Sequence, residues 1–370
     1  MQALPDWKTC VLKVGSSLIA PDGKGCSTRF LLSIAQFVLR AQDQGRQVLL
    51  VSSGSVAAGR DRMKLIHPQW SDSITDKQAL AAIGQSELIA FWQQFFDFPC
   101  AQILLTRDDI RIRRNHLNAR NTLTRLLELG TLPIINENDT VAVDEIKLGD
   151  NDQLAAHVAV MSEADLFIIL SDVDGLYDSN PTKNTEAQLI PEVSHIDQDI
   201  LDMAGDTHSS VGTGGMVTKL QAAQIATSRG IPCLIANGTK NRTLENLSDG
   251  KQAGTLFSAI KQPLDSRQHW LIHSADSIGS IEIDDGAHQA LSTQGASLLP
   301  AGILTVSGPF HRGDVIDVIF QSKHIARGIS QYNSEETKAI RGCQSAEIID
   351  KLGYIYTNVA IHRNDLVILS

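Results

Sequence analysis

No stretch of this 370-residue sequence is apolar over the roughly 20 residues that a membrane-spanning helix needs, and its longest apolar runs are strand-sized. A membrane protein is not expected. The amino-terminal MQALPDWKTC lacks a basic stretch leading into an apolar one, so a secretory leader is not expected either. Five cysteines (Cys10, Cys26, Cys100, Cys233, Cys343) form no C-x-x-C pair and no disulfide-like framework, which fits a reducing cytoplasm. Positive charge is also short: 32 Lys and Arg stand against 42 Asp and Glu, a net charge of −10. A nucleic acid partner would want the reverse, although a local basic groove stays possible. The 11 histidines are dispersed, and no Ser-His-Asp or His-Asp arrangement stands out.

What is present is ordinary globular material, 42% hydrophobic and 20% charged, over a length that suggests two domains. From TCVLKVG to IPCLIANG, strand-like runs rich in Val, Ile and Leu alternate with helical segments. That rhythm predicts an α/β domain whose parallel sheet is sandwiched between helices, since strands buried on both faces read as continuous apolar runs. After KQPLDSRQHW the texture changes to short β-like pieces such as SIEIDDGA, GDVIDVIF and KHIARGISQYN, punctuated by Gly, Asp and Ser. A small β-rich domain is expected over 276–356, following a first domain over 1–262.

Chemistry gathers where strands should end. Lys13 closes the first strand and is followed by Gly15, Ser16 and Ser17, a place suited to an anion, although a strand-end lysine also simply reaches for water. Ser52, Ser53 and Gly54 lead from the second strand into a helix, and backbone N–H groups at such a turn cradle anions; a plain serine cap uses the same letters. GTGGMVTKLQAA sets Gly212, Gly214 and Gly215 ahead of a helix with Lys219 one turn in. It has neither the G-x-x-x-x-G-K-[ST] order nor a G-x-G-x-x-G, so any nucleotide is held in another way.

The densest signal is INENDTVAVDEIKLGDNDQLAAH, with Asn136, Glu137, Asn138, Asp139, Asp144, Glu145, Asp150, Asn151 and Asp152. Asn and Asp here suit an α-amino group, Asp150 and Asp152 suit orienting a lysine or touching Mg2+ through water, and a solvated acidic loop is the plainer alternative. Asp172, Asp174 and Gly175 follow the next strand, within reach of a ribose, base or phosphate. Together these turns and two lysines describe a phosphoryl-transfer cleft, where the protein supplies alignment and positive charge.

Taken in order, VLKVGSSL, VSSGSVAAGR, LNARNTL, PIINENDTVA, GDNDQLAA, SDVDGLY and GTGGMVTKLQAA resemble the amino acid kinase family, and the tail resembles a PUA domain. Within the family the NENDTVA segment with such a tail is similar to the members that phosphorylate the side-chain carboxylate of L-glutamate at the start of proline synthesis. The resemblance implies ATP and Mg2+ as cofactors, with Lys13 and Lys219 on the transferring phosphate and Asp150 and Asp152 organising the lysines and magnesium. It also implies that Ser53, Gly54, Asp139 and Asn151 bind glutamate, and that Ser171, Asp172 and the loop Thr213, Gly214, Gly215, Met216, Val217, Thr218 and Lys219 bind ATP. Val217 departs from the pattern, standing where many relatives carry a small hydroxyl residue.

Proline as feedback inhibitor, glutamyl phosphate reductase as functional partner and a homo-oligomer follow from the same resemblance. A glutamate carboxylate is already ionised at neutral pH, which agrees with the absence of an evident general base. Kinases of aspartate, acetylglutamate, carbamate or nucleoside monophosphates are the nearest alternatives. An RNA-binding tail on an inactive kinase domain is a further one, disfavoured because residues 277–354 hold nine acidic against six basic side chains.

Overall fold

The computed structural model describes residues 2–23, 25–67, 69–71, 73–141, 151–205, 215–260, 271–272 and 276–369. The chain divides into two compact units, Met1–Pro263 and Leu264–Ser370. Among the described residues no helix is long and apolar enough to cross a membrane.

In chain order the first unit comprises β1 (Thr9–Val14), α1 (Ser16–Ile19), α2 (Leu31–Asp43), β2 (Gln47–Ser52), α3 (Ser55–Met63), α4 (Ile74–Gln93), β3 (Cys100–Leu105), α5 (Arg107–Arg111), α6 (Arg113–Glu128) and β4 (Leu132–Glu137). It continues through α7 (Asn151–Met161), β5 (Leu166–Ser171), β6 (Glu192–Val193), α8 (Gln198–Gly205), α9 (Met216–Thr227), β7 (Cys233–Asn237), α10 (Asn241–Ser248) and β8 (Thr255–Phe257). These strands form one sheet in the order β3-β4-β2-β1-β5-β7-β8-β6. All neighbours are parallel except β7 and β8. The expected parallel α/β sandwich is therefore present, with the last two strands at one edge, β8 and β6, running opposite to the rest. From β1 the chain winds toward β2 on one side, and from β5 it winds toward β7 on the other. Between β1 and β5 lies the switch point, the crevice where open α/β sheets bind ligands.

Strand alternation decides which side chains meet there. Cys10, Leu12 and Val14 of β1 pack with α2, α4 and α10 through Ile34, Phe37, Trp92 and Leu247. Val11 points the other way, into the core made with Leu154 and Val158 of α7 and Leu220 and Ala223 of α9. Side chains in a strand alternate between faces, so Lys13 shares the face of Val11 and is aimed at α7 and α9.

The helices α3 and α4 touch backbone to backbone, because a Cβ on Gly59 would lie 2.0 Å from the Leu80 carbonyl oxygen and one on Gly84 only 1.8 Å from that of Ser55. This crossing fixes the first turn of α3 directly after the Ser53–Gly54 corner.

The second unit is a five-stranded sheet of order β10-β9-β11-β12-β13, built from β9 (Gly279–Ile283), β10 (Ile303–Ser307), β11 (Val315–Phe320), β12 (Lys323–Ser330) and β13 (Ile361–Ile368). Its core gathers Ile281, Ile283, Ile316, Val318, Ala326 and Ile361. Short helices at Asp285–Gln294, Ser334–Ile340 and Ile348–Leu352 accompany the β-rich texture. The second of them starts in a reciprocal cap, with Glu336 N–H donating to the Asn333 side chain and Asn333 N–H to the Glu336 carboxylate.

Gly84→Val would drive α3 and α4 apart against backbone rather than against a flexible side chain. Urea unfolding is expected to show a loss of about 1–3 kcal/mol, the usual cost of overpacking. An unchanged midpoint would mean that the two helices can separate freely.

Candidate active site

One carboxylate holds two lysines in the crevice. Asp152, in the first turn of α7, is fully buried and lies 2.5 Å from Lys13 Nζ through Oδ1. Lys219 Nζ, from the first turns of α9, donates to its Oδ2 at 3.1 Å. The Thr218 hydroxyl donates to the Gly215 carbonyl at 2.9 Å and also reaches Asp152 Oδ2, at 3.5 Å. Both lysines are themselves buried, at 3% and 5% exposure.

Burial pushes the Asp152 carboxyl up, but the charges and hydrogen bonds of Lys13 and Lys219 outweigh it and hold the group below the usual carboxylate range. Its place at a helix N-terminus favours the same ionised form. Each ammonium has three N–H donors, so Asp152 exhausts neither.

A second network stands at the ends of β2 and β4. The chain enters α3 through Gly54, whose φ of 107° is left-handed and where a Cβ would sit 2.6 Å from Ile19 Cγ2 of α1. Asn151, the residue before Asp152, donates its amide to Ser53 Oγ at 2.7 Å and to Asn136 Oδ1 at 3.0 Å. Asp139 accepts from Ser55 Oγ at 3.3 Å. Thus Ser53, Gly54, Asp139 and Asn151 converge, and the shared helix start puts this cluster one residue from the lysine-bearing carboxylate.

On the other side of the crevice the ends of β5 and β7 meet. The Ser171 hydroxyl donates to Asp172 Oδ1 at 3.0 Å, and the Gly238 N–H to the Ser171 carbonyl at 2.8 Å. Asn237, paired with Ser171 across the sheet, donates to the Asp172 carbonyl at 3.2 Å and to Asp174 Oδ1 at 2.9 Å. Lys240 reaches Asp174 Oδ1 at 2.6 Å, and Tyr177 donates to Oδ2 at 3.1 Å. Partial burial works to raise the Asp174 carboxyl, while the bonds from Lys240, Asn237 and Tyr177 bring it below its ordinary value.

Gly215 precedes α9, and Met216 and Val217 lie on its first turn, with Val217 exposed. Asp150, Thr213 and Gly214 lie outside the described residues, as do Gly212, Asp144 and Glu145. Asn237 and Lys240 were not among the residues expected from the sequence. Their signal was there in IPCLIANGTK, where polar residues follow an apolar strand as they do after β5.

The description "Amino acid kinase family" matches residues 8–237, and "PUA domain" matches residues 279–352. A curated glutamate 5-kinase of Salinibacter ruber is 49% identical over 370 residues, covering 99% of this chain and 98% of its own. That of Idiomarina loihiensis is 48% identical over 367 residues, with 99% and 98% covered. One from Xylella fastidiosa is 48% identical over 373 residues, with 100% and 97% covered. Among solved structures, the UMP kinase from Bacillus anthracis superposes with a TM-score of 0.49 at 15% identity, over 69% of this chain and 97% of its own.

Asp152→Asn would remove the charge between two buried ammonium groups and should destabilise the fold by about 3–5 kcal/mol at neutral pH. The folded carboxyl titrates below its unfolded value of about 3.9, so its contribution is complete above that pH and disappears as pH falls through the lower folded value. The stability gap between wild type and variant, read from urea melts at pH 7 down to pH 3, should narrow on acidification. A gap that stays level or widens would show that Asp152 is not held ionised.

Proposed function

This chain belongs to the amino acid kinase family, and from that premise we propose that it transfers the γ-phosphoryl group of ATP to the side-chain carboxylate of L-glutamate. The product is L-glutamyl 5-phosphate, the first intermediate of proline synthesis, in keeping with the full-length similarity to curated glutamate 5-kinases. The observation that carries the reading is the buried Asp152 holding Lys13 and Lys219 at the switch point, beside the Ser53–Asn151 cluster.

The glutamate carboxylate, ionised at neutral pH, needs no general base. One of its oxygens forms a bond to the γ-phosphorus while the bond from that phosphorus to the β,γ-bridging oxygen breaks, and the electron pair leaves with ADP. Lys13 and Lys219 neutralise the charge that moves toward the leaving oxygen, held in place beforehand by Asp152. Ser53, Gly54, Asp139 and Asn151 orient the amino acid, Asp139 facing its α-amino group. Ser171, Asp172 and the segment Thr213–Lys219 hold ATP, and Asp150 acts with Asp152 on the lysines.

Magnesium fits this donor set as an ion carried mainly on the ATP phosphates, since both Asp152 oxygens are given to lysines, and there it would add positive charge.

Proline offers the same α-carboxylate and charged nitrogen but no side-chain carboxylate, and it acts as a competitive inhibitor in the amino acid pocket. The acyl phosphate product is a reactive mixed anhydride, so glutamyl phosphate reductase is its consumer, and the working enzyme is a homo-oligomer.

ADP release over a panel of glutamate, aspartate, acetylglutamate, carbamate and UMP should single out glutamate; turnover of another member of the panel would reassign the substrate. Lys13→Ala and Lys219→Ala should each lower kcat by about two to three orders of magnitude with a much smaller change in KM for glutamate. Near-normal kcat in either would remove that lysine from the mechanism. Initial rates over a proline and glutamate grid should show a raised apparent KM with unchanged kcat, whereas inhibition that excess glutamate cannot relieve would move proline to a separate site.

A further inference from the structure

Helix α4 lies behind the β2–α3 corner, and one of its side chains reaches that corner from the core. Trp92 is fully buried, and its indole N–H donates to Ser52 Oγ at 2.9 Å. An indole nitrogen only donates, so the Ser52 hydroxyl must accept from it and turn its own proton elsewhere. That proton goes to the Ser53 carbonyl, at 3.1 Å.

Ser53 is thereby held at three points. Its N–H donates to the Val14 carbonyl of β1 at 3.3 Å, its carbonyl accepts from Ser52, and its Oγ accepts from Asn151. The Ser53–Gly54 peptide is trans, so fixing the carbonyl points the Gly54 N–H to the opposite side of the same plane. Within the described residues that N–H makes no hydrogen bond.

We infer that Trp92 and Ser52 are positioning residues for the amino acid pocket, fixing the Ser53–Gly54 peptide through a buried relay of two hydrogen bonds. The relay aims a backbone donor, the Gly54 N–H, at the substrate and sets the Ser53 hydroxyl for Asn151. Neither Trp92 nor Ser52 touches substrate. The inference rests on the reading above that Ser53 and Gly54 hold the amino acid. It differs from a purely structural role for Trp92, because the relay ends on one side of the cleft and should be felt by one substrate only.

Steady-state kinetics of the full chain tests this with wild type, Trp92→Phe, Ser52→Ala, Ser52→Thr and the double variant Ser52→Ala/Trp92→Phe. Loss of one aligned hydrogen bond should raise KM for glutamate about tenfold in Trp92→Phe and in Ser52→Ala, with kcat and KM for ATP within about twofold. Ser52→Thr keeps the hydroxyl and should restore the wild-type KM. The double variant should be no worse than either single one, because both cut the same relay.

An unmoved glutamate KM in folded Trp92→Phe, equal damage to both substrates, or additive effects in the double variant would overturn the inference. Should Ser52→Ala not fold, Trp92→Phe and Ser52→Thr still decide it. Failure of the wild type to phosphorylate glutamate would reject the functional reading and this inference with it, whereas wild-type turnover with an unmoved KM in Trp92→Phe rejects the inference alone.

Discussion

The architecture of the first unit depends on one electrostatic constraint, the burial of two lysines on a single carboxylate. Isolated ammonium groups at this depth would be costly, and two of them close together would also repel. Asp152 resolves both problems, and the geometry it requires ties together residues 13, 152 and 219, which arrive from β1, α7 and α9. Strand alternation aims Lys13 toward α7 and α9, while Leu154, Val158, Leu220 and Ala223 pack those helices into the same core. Hydrophobic burial thus supplies the support, and the ion pairs fix the position of the charges within it.

The neighbouring cluster works on different physics. Ser53, Asn136 and Asn151 are neutral and joined by directional hydrogen bonds, so they select orientation more than charge. Asn151 and Asp152 are consecutive at the start of α7. A single helix terminus therefore anchors both clusters, and in the proposed reading a small displacement of α7 would disturb the amino acid and the phosphoryl group together. The close crossing of α3 and α4 at Gly59 and Gly84 keeps the Ser53–Gly54 corner, on the other side of the same cluster, in place.

Much of this arrangement was legible in the sequence, for identifiable reasons. Apolar strands leading into Lys13, Ser52 and Ser171 marked the carboxyl edge of a parallel sheet, and the segment around Asn136 and Asp152 held too many polar groups for packing alone. That Asp152 would meet both lysines was harder to read, because its burial follows from its place in the first turn of α7, where the helix packs against β1 and α9. Asn237 and Lys240 escaped notice since their partner Asp174 lies far away in the chain and becomes a neighbour only when β5 pairs with β7. Nothing in the sequence singled out Trp92, since its apolar bulk suits any core position and its hydrogen bond to Ser52 depends on how α4 packs over β2. The reversal of β8 rests on three residues, too few to carry a pattern.

The most direct test of the account is a nitrogen-15 NMR titration that follows the lysine side-chain ammonium resonances while a non-hydrolysable ATP analogue is added. Buried, hydrogen-bonded ammonium groups exchange their protons slowly enough to be observed, and substitution assigns the signals of Lys13 and Lys219. The account predicts that both resonances are visible in the free protein and that both shift together as the nucleotide binds. Binding of the analogue with neither resonance moving, or with only one moving, would contradict the claim that Asp152 presents two lysines to the same phosphate.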